Sequence, residues 1–203
     1  SFGSMDLDTL PPGLARFTLS GQIDDCPHCG YRSRGLEALT GVDLPAAVRC
    51  PEYLTILADE RFPQLARDFL AFRHLCQLGG HARDALWATL CAVWACDDED
   101  LGAEARTLRE EALGWLDRLH AEGQTFSGSH DHDALLTLDL ARRTGHFDDV
   151  VERADTFVDR LGDGFEREIA RFQRSLAQQR DTQTHTVEEA IEWAESPHPD
   201  EGA

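Results

Sequence analysis

The chain has 203 residues, 41% of them hydrophobic, which suffices for one well-buried core or a small module followed by a larger domain. Its net charge is -19, and all 19 basic residues are arginine. Such a surface repels phosphate backbones, so nucleic acid is a poor general partner, and no apolar run approaches the ~18 residues of a membrane span. The charge is uneven. Residues before Asp97 carry 11 acidic and 8 arginine side chains, a net of -3, against 27 and 11 from Asp97 onward, a net of -16. The arginine bias, with abundant Ala, Gly, Asp and Leu, suggests a GC-rich bacterial genome. The start of the chain shows no basic-then-apolar leader, and a cytoplasmic location is expected. Residues 1–4, ahead of Met5, read as an expression scar.

Residues 5–25 begin irregularly around Pro11-Pro12-Gly13, and Arg16 to Ile23 alternates enough to predict a short strand with Phe17, Leu19 and Ile23 on one side. The knuckle Cys26-Pro27-His28-Cys29-Gly30 follows. Two thiolates separated by two residues grip one metal ion from a tight turn, and the glycine lets the backbone double back. Residues 31–49, with Gly35, Gly41 and Pro45, read as loop with a turn of helix near Leu36 to Leu39. Cys50 precedes Pro51, which suits the first position of a helix to about Glu60.

From Pro63 the helical period dominates, with Leu65, Phe69, Phe72 and Cys76 in one stripe ending at Gly79-Gly80. His81 to Cys96 restarts it, with Leu86, Leu90 and Val93 on one face and Trp87, Cys91 and Trp94 beside them. Helices are predicted over Ala103 to Ala121 (Leu108, Ala112, Trp115 and Leu119 inward) and at about 131–143, 146–161, 165–180 and 187–195. Residues 196–203, Pro- and acid-rich, read as a disordered tail. The segment Leu75 to Leu86 is similar to Leu140 to Val151 at an offset of 65 residues, near twice a ~34-residue helix-hairpin period. Both end a helix at glycine, turn through histidine and reopen a helix. They resemble the centre of a tetratricopeptide repeat.

The expected architecture is therefore mainly α: a small zinc-knuckle module over 5–51, then tetratricopeptide-like stacked helical hairpins over 52–195. A Cys-Pro-x-Cys-Gly-Tyr knuckle (Cys26 to Tyr31) ahead of such helices resembles the uncharacterised bacterial DUF2225 proteins. That resemblance covers about residues 24–160 and brings no established activity.

Zinc is the expected metal, because thiolates suit it and structural sites are closed and tetrahedral. Cys26 and Cys29 are the expected ligands, with Cys50 third. His74, off the apolar stripe of its helix, is the expected fourth. Cys76, Cys91 and Cys96 read as core. In Ser129-His130-Asp131-His132-Asp133, alternating His and Asp are metal-ligand types, yet the segment falls where a helix starts and Ser129 or Asp131 suits its N-cap. No His-Glu-x-x-His, phosphate-binding glycine loop or nucleophile elbow occurs. The expected function is a non-enzymatic protein that binds a protein or peptide partner of basic character. The alternative is a hydrolase-like metal enzyme using an open metal position or the His130–Asp133 cluster.

Overall fold

The structure, a computed structural model, describes residues 3–35 and 39–196. The expected turn around residues 36–38 and the tail 197–203 lie outside them. In chain order the elements are α1 (Gly13–Arg16), a 3-10 turn (Leu19–Gln22), β1 (Asp24–Asp25), β2 (Arg32–Ser33), α2 (Leu44–Ala47), α3 (Pro51–Ala58), α4 (Gln64–Gly79), α5 (Ala82–Asp97), α6 (Gly102–Ala121), α7 (His130–Thr144), α8 (Phe147–Arg160), α9 (Phe165–Gln178) and α10 (Val187–Glu195). The protein is mainly α, as the periodicity predicts. The chain divides into two compact units, one of residues 15–126 and one of residues 1–14 with 127–203. The knuckle thus shares a unit with α3 to α6, whereas the sequence reading separates them at residue 51.

In the unit of residues 15–126, α5 packs between α4 and α6. Its central position explains its composition. Ala85, Leu86 and every residue from Ala88 to Cys96 are buried, so α5 is apolar on nearly all sides. Phe69 and Phe72 of α4 meet Trp87 of α5 edge-on, with centroids 5.4 and 6.3 Å apart. Leu108, Ala112, Trp115 and Leu119 of α6 face inward as expected. Cys76, Cys91 and Cys96 lie in this core, where burial pushes all three thiols up, Cys76 and Cys96 to about 12. They stay protonated and pack as small hydrophobes.

The strand expected over Arg16–Ile23 does not form. Thr18 is in the right-handed helical region, the Gly21 N–H bonds the Thr18 carbonyl (3.0 Å), and a 3-10 turn takes the segment. Leu19 is buried while Phe17 stays 81% exposed, so the apparent alternation is not a face. The strands lie immediately around the knuckle. β1 and β2 pair antiparallel, Asp24 with Ser33 and Asp25 with Arg32.

In the other unit, α7 packs on α8 and α9, and α9 on α8 and α10. Val150, Ala154 and Phe157 of α8 and Ile169, Phe172 and Leu176 of α9 form buried stripes at helical spacing. The N-terminal segment, expected to belong to the knuckle module, instead lies along the start of α10. Leu7 N–H bonds the His185 carbonyl, Val187 N–H bonds the Met5 carbonyl (both 2.9 Å), and Asp8 pairs with Arg143 at 2.8 Å. Arg142 is wholly buried, donating to Asp139 (2.6 Å), to Gln173 (3.2 Å) and to the carbonyls of Asp181 and Gln183 (2.9 Å each).

The internal similarity has a structural counterpart. Gly80 (φ 74°) and Gly145 (φ 89°) both adopt the left-handed conformation at a helix end. In each turn the following histidine N–H reaches back five residues, His81 to the Cys76 carbonyl (2.8 Å) and His146 to the Ala141 carbonyl (2.9 Å). The glycine N–H bonds the Gln77 carbonyl (3.2 Å) in one and the Arg142 carbonyl (3.0 Å) in the other. Both are Schellman turns, for which glycine is the least strained residue.

Candidate metal centre

The knuckle is built by the β1–β2 hairpin. Cys26 N–H bonds the Tyr31 carbonyl at 2.9 Å, and Gly30 N–H returns to the Cys26 carbonyl at 2.8 Å, with Gly30 at φ 75°. This bend aims the N–H groups of His28 and then Cys29 at the Cys26 sulfur. With a further hydrogen bond from the Cys29 side chain, they hold the Cys26 thiol below its ordinary range. Cys26 is half-buried and Cys29 exposed.

The second pair forms at the start of α3. Cys50 is its N-cap, accepting the Tyr53 N–H at 3.4 Å, with Pro51 at the first helical position. His74, one residue before the buried Leu75 of α4, turns toward it. Cys50 Sγ and His74 Nε2 are 3.6 Å apart. Burial pushes the His74 imidazole below its usual range, with Arg73 in support and the Glu52 charge opposing. That favours the neutral ring, the form that ligates metal. Glu52 is the member that sequence reasoning missed. Its own N–H first, then a hydrogen bond from Cys50, hold its carboxyl below the ordinary range, and the His74 charge adds to this. An acidic residue in the first turn of a helix capped by cysteine was the available signal.

Tyr53 ties the two pairs to one scaffold. Its N–H donates to Cys50, while its hydroxyl donates to the Gly30 carbonyl (2.8 Å) and accepts from Arg32 N–H (3.1 Å). The side chain is fully buried, and burial pushes the phenol up to about 12, so the hydroxyl keeps the proton it donates. Arg32 adds a 2.6 Å pair to Asp68 of α4 and a 2.9 Å bond to the Gly30 carbonyl. Ala47, Val48, Tyr53, Ala71 and Leu75 form the core beneath, with Tyr31 and Cys50 packed against it.

The expected ligands therefore stand as two pairs, Cys26 with Cys29 and Cys50 with His74. Among the described residues, no group of three or more His, Cys, Asp or Glu side chains is arranged to hold a metal ion. The donor chemistry of both pairs nevertheless suits zinc. Donors about 2.3 Å (sulfur) and about 2.0 Å (nitrogen) from one tetrahedral ion lie about 3.5 Å apart, close to the Cys50–His74 separation. N–H groups directed at sulfur also stabilise ligating thiolates.

The 130–133 segment is a helix start. Ser129 caps α7, accepting His132 N–H at 3.4 Å. Asp133 is fully buried and accepts the Ser127 N–H and hydroxyl (2.8 and 2.6 Å). Asp131 pairs with Arg160 at 2.7 Å, and His132 faces Glu166 at 3.7 Å. These carboxylates point to different partners. No helix among the described residues is long and apolar enough to cross a membrane. Comparison of the chain with protein-family models, with curated proteins and with solved structures finds no match in any of the three.

Proposed function

We propose that this chain is a non-enzymatic, zinc-stabilised helical-repeat protein of the bacterial cytoplasm that binds a protein or peptide partner of basic character. The observation that carries this reading is the pair of matching helix–Gly–His–helix turns, at Gly80 and Gly145, each joining two helices that pack on one another. Units of that kind bury one face against their neighbours and offer the other to a partner. They are the tetratricopeptide-like element, and with the Cys26–Tyr31 knuckle they support kinship with the DUF2225 proteins. The net charge of -19 selects a basic partner through long-range attraction.

Zinc, held by Cys26, Cys29, Cys50 and His74, is the proposed staple. Among the described residues of 24–50 the regular elements are the short β1, β2 and α2, and a cross-link between a hairpin and a helix start replaces the core that such a segment lacks. When bound, the ion supplies structural cross-linking rather than chemistry. The directed N–H groups and the 3.6 Å sulfur–nitrogen separation support it. The enzyme alternative gains nothing from the 130–133 segment, whose Asp131 and Asp133 serve an ion pair and a helix start.

The test is elemental mass analysis of natively purified protein beside Cys26→Ser, with amide hydrogen exchange on both. About one zinc per chain is expected, lost in the variant, with faster exchange over residues 24–57 and unchanged protection in α8 and α9. Full zinc content in Cys26→Ser refutes the ligand assignment.

A further inference from the structure

Beside the Cys50–His74 pair lies a cleft of about 580 Å³. Val42, Ala46, Ala47 and Leu78 supply its apolar lining. Leu78 is 53% exposed, whereas the other large apolar side chains of α4 from Phe69 onward, Phe69, Leu70, Phe72 and Leu75, are buried. The charged groups on this cleft are Asp43 and Glu52, both exposed, and no arginine lines it. Two other clefts in the same unit are mixed in charge: one carries Arg34 with Asp84, the other Arg118 with Glu122.

We infer that this cleft seats the partner of the proposed function, and that its occupant is a peptide segment presenting an apolar side chain next to arginine or lysine. The inference rests on the partner-binding reading and adds the site and the chemistry. An apolar floor supplies affinity by excluding water around one anchoring side chain, and rim carboxylates supply orientation and selection by charge. Glu52 is exposed in the first turn of α3 and lines the cleft beside Cys50. Asp43, an exposed residue, accepts Ala46 N–H at 3.3 Å. Residues 196–203 of the chain itself are the wrong occupant by charge, since they hold Asp200 and Glu201 and no arginine. A second copy brings the same acidic rim and the same net charge of -19. A basic partner is the complement.

The test is selection of a phage-displayed library of random 12-residue peptides against the zinc-loaded full chain, followed by affinity measurement on variants. Enriched peptides are expected to combine an aliphatic or aromatic residue with Arg or Lys. Leu78→Asp should weaken them about tenfold or more. The double variant Asp43→Asn/Glu52→Gln should weaken them about fivefold at low salt and less at high salt. Asparagine keeps the cap at residue 43. Ile191→Asp, a 41% exposed position in the other unit, is the control and should leave affinity unchanged. Zinc content and helical circular dichroism verify that each variant is folded. Peptides that bind Leu78→Asp as well as the parent chain overturn the cleft assignment and leave the partner-binding reading standing; peptides that lack basic residues overturn the assignment and the basic character of the partner with it. No enrichment on any variant overturns both. A parent dimer converted to monomer by Leu78→Asp puts a second copy in the cleft and overturns the assignment of a basic peptide.

Discussion

The turns at Gly80 and Gly145 have the same backbone, yet the units around them are closed by different chemistry. At the position three residues before each glycine, one unit has Gln77, exposed to solvent, and the other has Arg142, wholly buried. Around Gly145 the neighbouring elements are helices. A buried guanidinium collects Asp139, Gln173 and the loop carbonyls of Asp181 and Gln183 into one hub. Around Gly80 the neighbour is a loop. His81 Nε2 meets the Thr40 carbonyl at 2.9 Å, and the knuckle is tied to α3 and α4 through Tyr53 and Arg32. A shared local signal therefore specifies the turn only. What fastens each unit is set by partners elsewhere in the chain: a wholly buried guanidinium hub in one, and in the other the Tyr53 hydroxyl, the Cys50 cap and the Arg32–Asp68 pair.

This contrast breaks most strongly at Arg142. Arg142→Ala leaves the Asp139 carboxylate buried without its cation and orphans two carbonyls. A loss of about 3–5 kcal/mol is expected in the unit of residues 127–203. Hydrogen exchange reads it as lost protection in α7 and α9, with α4 to α6 unchanged. Equal loss in both units would show that they are not closed independently.

On the other side, Gly79→Ala tests how closely the loop approaches. A methyl group there lies 2.6 Å from His81 Cδ2 and 3.0 Å from the Thr40 carbonyl. A cost of roughly 1–3 kcal/mol is expected, read as a lowered midpoint for this unit in urea. Tyr53→Phe removes the hydroxyl that joins Gly30 to Arg32 and should cost about 1–2 kcal/mol, with faster exchange in β1 and β2. Unchanged exchange there would show that the hydroxyl does not hold the knuckle.

The smallest effect is acid-dependent and belongs to the Arg142 unit. Burial opposes ionisation of Asp181, but Gln183 N–H, His185 and Arg142 outweigh it and hold the carboxyl below the ordinary aspartate range. Because the folded value lies below the unfolded one, the stabilisation is present above pH ~4 and is lost as pH falls through the folded value. This solvent-facing group contributes less than about 1 kcal/mol. Asp181→Asn should flatten this part of the acid limb in circular dichroism against pH; an identical limb would remove Asp181 from the hub.

The helices were legible because their ends carry local signals. Pro51, Gly80 and Gly145 mark boundaries that depend only on nearby residues. The strand expected over Arg16–Ile23 was misread because alternation over a few residues does not establish a face. The two-residue strands that do form are too short for any period to reveal. Docking of residues 3–10 against 185–188 is a non-local pairing with no local trace. Within the candidate centre, Cys26 and Cys29 were legible from spacing alone. The approach of Cys50 and His74 spans 24 residues and depends on how α3 meets α4, although each was readable as a donor. Glu52 left a local signal, its place in the first turn after Cys50, that went unread; Tyr53 left none, since its role comes from the buried path to Gly30.

The most direct test of the zinc staple is X-ray absorption at the zinc edge on natively purified protein. Three sulfurs near about 2.3 Å and one nitrogen near about 2.0 Å are expected, with the nitrogen replaced or the ion lost in His74→Ala. A shell of four sulfurs, a spectrum unchanged in His74→Ala, or the absence of zinc would contradict the proposed centre.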